Sequence, residues 1–213
     1  MLPDLKPGNS TINAKVGEQL TVEQCLYAIL LASANEVCTQ MAVRVAGSVS
    51  NFTALMNEKA AELGCENTHF VNANGLPDPN HYTTAHDLAR ILAAAVANED
   101  FCRISGSSKY TIPATNLTDT PRDLTNTHIL IEDGPDHYPG VLAGKTGHTE
   151  AAKNTLVTAA KRDDMTLICV VMRSDGDHRF TDTAALLDYG FQEFHMLPVH
   201  WMDEENPAGY AVL

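Results

Sequence analysis

Two short triplets carry the side chains best suited to chemistry: Lys145-Thr146-Gly147 and, far upstream, Ser33-Ala34-Asn35. A lysine ammonium beside a threonine hydroxyl offers a cation and a hydrogen-bond donor. The glycine beside them has no side chain, so the backbone there stays open to close approach. Ser33 and Asn35 supply a hydroxyl and an amide, each able to donate and to accept a hydrogen bond. Each triplet also has a plainer use. Ser33 and Asn35 suit a helix C-terminus and a turn, and Lys145-Thr146-Gly147 suits an exposed strand end.

The elements that must position them follow from patterning. Thr21-Val22-Glu23-Gln24 has the spacing of a capping box. Val22, Cys25, Leu26, Ile29 and Leu30 then form one apolar helical stripe. This helix runs to about Ala32, with Ser33 at its C-terminal end. A second helix is predicted from Glu36 to Ala46, stopping at Gly47. A third carries Phe52, Leu55, Met56 and Leu63, with Gly64 as its cap. Thr84 to Asp87 opens a fourth, with Leu88, Ile91, Leu92 and Val96 on one face. The second half changes character. Lys109–Pro113, Gly140–Gly147 and Asn154–Lys161 read as strands. Asp163-Asp164 is a turn into Met165–Met172, a continuous apolar run suited to a strand buried on both faces. Phe180, Ala184, Leu187, Phe191 and Phe194 mark a last amphipathic helix. Helices, then a three-strand antiparallel meander, then a helix make an α+β pattern.

Bulk composition narrows the function. The 213 residues are 44% hydrophobic, enough for a sizeable core, and carry a net charge of −13. Such a chain repels nucleic acid and anionic membrane surfaces, so neither is an expected partner. No apolar run is long enough to span a bilayer, and Met1-Leu2-Pro3-Asp4 is not a signal peptide. The five cysteines show no CxxC spacing and are expected to be buried free thiols. The nine histidines include no HExxH and no close Cys/His cluster, so no metal and no cofactor are expected.

Beyond the two triplets, several long segments fall in the order of one family. Leu30–Glu36, Met56–Gly64, Thr68–Leu76, His81–Ala89, Leu124–Thr127, the Lys145 strand, Asn154–Val157 and Leu186–Phe191 resemble the D-alanyl-D-alanine carboxypeptidases, which are penicillin-binding serine DD-peptidases. The resemblance covers about residues 17–195. It implies the penicillin-binding-protein/β-lactamase-like transpeptidase fold, with a helical subdomain and an antiparallel sheet. It also implies a peptide substrate ending in D-Ala-D-Ala, inhibition by β-lactams, and a bacterial envelope, secreted or extracytoplasmic location. By resemblance Lys145 places its cation near the substrate carboxylate and helps proton transfer, and Thr146 donates to that carboxylate. Gly147 lets the peptide lie along the strand, and the His148 N–H is half of an oxyanion hole. Ser33 relays a proton to the leaving amine, Asn35 holds the substrate amide, and Arg179 is a second carboxylate anchor. Glu36 stands where the family more often has aspartate.

The family's third motif, Ser-x-x-Lys, carries the nucleophile and its base. Three positions before the seven lysines stand Pro3, Ile12, Met56, Gly106, Leu142, Glu150 and Thr158, none of them serine. Residues 1–197 therefore read as a partial DD-peptidase domain, incomplete at the N-terminus, and 198–213 as an irregular tail. One reading is part of a serine-type carboxypeptidase whose first segment lies outside this chain. The alternative is a non-catalytic muropeptide-binding pseudo-enzyme. Ser33, Asn35, Lys145 and Thr146 are expected to line one cleft between the helical half and the sheet. The resemblance further implies that strands of the missing segment pair beside Met165–Met172, opposite the substrate-facing Lys145 strand. Without them, 165–172 is expected to be an apolar edge that self-associates or is covered by residues 1–20.

Overall fold

A computed structural model of the chain describes residues 8–176 and 178–196. The expected tail, 198–213, lies outside the described residues. The helical half comprises α1 (Val22–Ala32), α2 (Asn35–Ala46), α3 (Val49–Glu62), α4 (Ala85–Val96) and α5 (Glu99–Ser105). Next come a two-stranded ribbon, β1 (Lys109–Ile112) and β2 (Arg122–Thr125), and a short 3-10 turn at Ile129–Ile131. The meander follows as β3 (Val141–Thr149), β4 (Lys153–Arg162) and β5 (Met165–Ser174), closed by α6 (His178–Glu193). All strand pairs are antiparallel, and the three-stranded sheet runs β3-β4-β5. The α+β order expected from patterning is therefore present.

Local signals act where the sequence puts them. The Thr21 hydroxyl accepts from the Gln24 N–H at 3.1 Å, and the Gln24 side chain accepts from the Thr21 N–H at 2.8 Å. Gly47 closes α2 with a φ of 79°, a conformation that glycine adopts without steric cost. Thr84 accepts from the Asp87 N–H and opens α4. Two elements escape the apolar pattern, α5 and β2. Each is short, and β2 turns only Leu124 inward.

Two cores result. Ile12, Tyr27, Ala28, Leu31, Ala34, Val37, Ile104, Ile112 and Leu124 gather around α1. The second, with Leu130, Tyr138, Leu156, Ala160, Cys169, Phe180 and Leu187, lies between the sheet and α6. All five cysteines are free thiols, but only Cys169 is fully buried; the other four are half-buried. Among the described residues β5 is an edge strand, as expected. Residues 8–20 do not cover it. They are tied instead to α2 and to the 115–122 loop, because Glu36 accepts from the Ile12 N–H at 2.9 Å and Asn116 accepts from the Gln19 N–H at 2.8 Å.

The anchor of that segment is Glu18, whose two carboxylate oxygens accept from Arg122 Nη2 at 2.8 and 2.9 Å. Burial pushes the Glu18 carboxyl up, but bonds from Thr115, the Lys15 N–H and Arg122 outweigh it and hold the group at about 2, against an ordinary 4.5. A carboxyl depressed in the fold stabilises it above the unfolded value, and that stability is lost as the pH falls from 4.5 toward about 2. Glu18→Gln is expected to cost about 2 kcal/mol at pH 7 and to flatten the acid loss in that window. Urea unfolding at a series of pH values checks this; an unchanged acid profile in the variant contradicts it.

Candidate active site

Ser33-Ala34-Asn35 is the corner between α1 and α2. Ser33 ends α1 in the left-handed region, with φ 54° and ψ 40°, and its N–H and that of Ala34 both return to the Ala28 carbonyl. A side chain in this conformation costs about 1 kcal/mol relative to glycine. The corner is held regardless, because Ala34 is buried in the α1 core and the Asn35 N–H and side-chain amide both donate to the Ser10 carbonyl, at 3.1 and 3.0 Å. The Ser33 hydroxyl is thus aimed toward the sheet.

β3 supplies the other side. Its register pairs Gly144 with Thr158, Lys145 with Val157, Thr146 with Leu156, Gly147 with Thr155 and His148 with Asn154. Side chains alternate across a strand, so Lys145 faces the helical half while Thr146 and His148 face the α6 side. The Lys145 ammonium donates to the Ser33 hydroxyl, 112 positions away, and to the Thr146 carbonyl at 3.0 Å. Burial, reinforced by the charge of Arg179, lowers Lys145 from 10.5 to about 8. The Thr146 hydroxyl lies 2.5 Å from that of Thr127. A β-carbon on Gly147 would fall 2.4 Å from the Thr155 hydroxyl, so any side chain there displaces its neighbour.

His148 and Arg179 meet through a residue whose role the sequence did not single out. Asn154 Oδ1 accepts from Arg179 at 2.5 Å and lies 3.0 Å from His148 Nδ1. The structure therefore joins Ser33, Lys145 and Thr146 at one end of the site, and His148 and Arg179 at the other. Asn35 is buried at the α1–α2 corner, with its amide directed to Ser10. Cys38 donates to the Ala73 carbonyl at 2.8 Å, and burial pushes its thiol up to about 11.

His128 is a second residue the motifs did not point to. It is fully buried, and burial lowers it to about 4, so the ring is neutral near pH 7. Its Nε2 lies 2.8 Å from the Thr158 hydroxyl, and its ring sits 2.5 Å from where a Gly144 β-carbon would stand. Gly144 is required there because the imidazole fills that space. Asn126, two residues earlier, accepts from the His128 N–H at 3.0 Å and so sets the ring's entry.

Known proteins share this fold. The structure of D-alanyl-D-alanine carboxypeptidase from Mycobacterium tuberculosis H37Rv matches with a TM-score of 0.77 and 32% identity, covering 85% of this chain and 68% of that one. The Streptomyces K15 DD-transpeptidase matches with a TM-score of 0.79 and 30% identity, covering 86% and 72%. The fold is thus that of the penicillin-binding DD-peptidases. The family model for D-alanyl-D-alanine carboxypeptidase matches residues 3–176, and the chain belongs to that family. D-alanyl-D-alanine carboxypeptidase DacF of Bacillus subtilis is 35% identical over 91% of this chain and 48% of its own length. DacB2 of Mycobacterium tuberculosis is 34% identical over 84% and 61%. The chain spans about half the length of the curated relatives it matches, from 45% to 61% for the first three.

The lowered Lys145 sets a pH test. Because its folded value of about 8 lies below the ordinary 10.5, the folded chain binds fewer protons in between, and stability rises with pH across that window. An NMR titration of the Lys145 side chain is expected to show a midpoint near 8. Ser33→Ala removes an acceptor that favours the ammonium, so it should lower the midpoint further. A midpoint near 10.5 would contradict the buried geometry.

Proposed function

We propose that this chain is part of a serine-type D-Ala-D-Ala carboxypeptidase of a bacterial envelope, working outside the cytoplasm. The complete enzyme removes the terminal D-alanine from peptidoglycan stem peptides through an acyl-enzyme, and β-lactams occupy the same site. The observation that carries this reading is the free edge of β3 between two cations. In an antiparallel pair, alternate residues turn their N–H and C=O away from the partner. Thr146 and His148 are the outward-facing residues here, with Lys145 at one end and Arg179 at the other. Among the described residues a side-chain bond to the backbone of this edge runs from Lys145 to the Thr146 carbonyl, at 3.0 Å. A peptide terminus added there meets the Lys145 cation and the Thr146 hydroxyl with its carboxylate, and the His148 N–H with its carbonyl oxygen. Ser33 relays a proton toward the leaving amine.

The nucleophile is not among these residues, since no serine stands three positions before a lysine. The chain by itself is therefore expected neither to release D-alanine nor to be acylated. Intact mass spectrometry after incubation with benzylpenicillin checks this, and a covalent adduct would refute it. The same missing serine favours a second reading, a muropeptide-binding pseudo-enzyme. An in-frame Ser-x-x-Lys encoded directly before Met1 would decide for the carboxypeptidase.

The isolated chain is further proposed to self-associate through β5. Its Leu167–Val171 run holds no charge, proline or glycine. Beside it opens an apolar cleft of about 330 Å³ lined by Leu167, Ile168, Leu186, Tyr189 and Phe194. Val170→Lys is expected to weaken association in sedimentation experiments. A monodisperse monomer at high concentration would count against it.

A further inference from the structure

The edge of β3 is not open along its whole length. At Gly144 one side chain stands where a neighbouring strand would otherwise be. The Ser105 hydroxyl donates to the Gly144 carbonyl at 2.7 Å and accepts from the Gly144 N–H at 3.1 Å. A single hydroxyl thus satisfies both outward-facing groups of one peptide position. Ser105 is fully buried, at the last turn of α5. The next residue closes the edge further. A β-carbon on Gly106 would fall 2.3 Å from the Leu142 carbonyl oxygen, so the α5 terminus lies directly against Leu142. Ser105 is in turn fixed from behind, because the Asn126 side-chain amide donates to the Ser105 and Ser107 carbonyls, both at 2.9 Å.

Coverage therefore changes within two residues. Gly144 is capped by the Ser105 hydroxyl, Gly106 packs against the Leu142 carbonyl, and Thr146 and His148 are left to a ligand. The boundary falls where Lys145 and Thr146 present their cation and hydroxyl. A peptide added to this edge can run past His148 but meets the α5 terminus beyond Thr146.

We propose that Ser105, seated by Asn126, is the end stop of the ligand strand: it confines strand addition to Thr146–His148, so that the site takes a peptide ending in a free carboxylate and rejects one that continues past it. This rests on the ligand reading given above. Ser105 touches no reacting atom in this scheme. It is a specificity-determining residue acting through the Gly144 peptide.

The test uses the 213-residue chain and two probes, N-acetyl-L-lysyl-D-alanyl-D-alanine and the same peptide extended by one glycine at its C-terminus. Backbone amide shifts of Thr146 and His148 are followed by NMR on titration of each. The acid-ended peptide is expected to shift both amides and the extended one to leave them in place. Ser105→Ala should lose about tenfold of that preference and speed exchange of the Gly144 amide by a similar factor, as expected for one lost hydrogen bond and freed edge groups. Equal shifts with both peptides in the unaltered chain would overturn the end stop while leaving the ligand reading intact. No shift with either peptide would overturn the ligand reading, and the end stop with it. Unchanged preference in a folded Ser105→Ala chain would also refute the proposal, because another group would then be closing the edge.

Discussion

The contact between the Lys145 ammonium and the Ser33 hydroxyl is the junction on which the site depends. It joins residues 112 positions apart and bridges two separate cores, one around α1 and one between the sheet and α6. Three conditions must hold together for it to form. Ser33 must keep its left-handed corner, β3 must pair with β4 in a register that turns Lys145 toward the helices, and the cleft must stay closed enough to bury a cation. A one-residue slip in that register would send Lys145 to the α6 face and Thr146 into the helical half. The glycines resist such a slip: Gly144 leaves room for the His128 ring, and Gly147 for the Thr155 hydroxyl.

Burying the ammonium has a cost, and the structure shows where it falls. Lys145 is lowered to about 8, so part of the fold's stability is given up at neutral pH to hold the cation in place. The return is a charge that water screens weakly, beside strand groups left open to a ligand. Arg179 stands at the other end, held by Asn154, and lowers Lys145 a little more. Two cations flank a short open edge, and that segment of β3 is where the proposed anionic peptide end would add. The covered segment at Gly144 belongs to the same design, since an edge strand without a partner is a liability wherever it is not in use.

Much of this was legible in the sequence, for local reasons. The Thr21 capping box, the Gly47 cap, the Thr84 cap and the apolar run of β5 are written within a few residues and read without the rest of the chain. Ser33 could be placed at the end of α1, and Lys145 on a strand, from periodicity alone. Their meeting could not be, and it rested on the resemblance. What patterning missed is tertiary or short. Asn98 caps α5 by accepting from the Phe101 N–H, but seven residues give too little periodicity to read as a helix. Ser105, His128 and Asn154 act through partners 25 or more positions away, so no local pattern marks them. Residues 1–20 were one candidate cover for β5, and the Glu18–Arg122 pair ties the described part of them, 8–20, to β2 instead.

The most direct measurement of this account is a double-mutant cycle on folding stability with Ser33→Ala and Lys145→Met, in urea at pH 7. Both single variants remove the bridge between the two cores, so the double variant should lose less than their sum. The predicted coupling is about 1 kcal/mol or more, in the range of charge-assisted hydrogen bonds shielded from water. Losses that add within about 0.3 kcal/mol would mean that Ser33 and Lys145 act independently, and would contradict the junction on which the site is built.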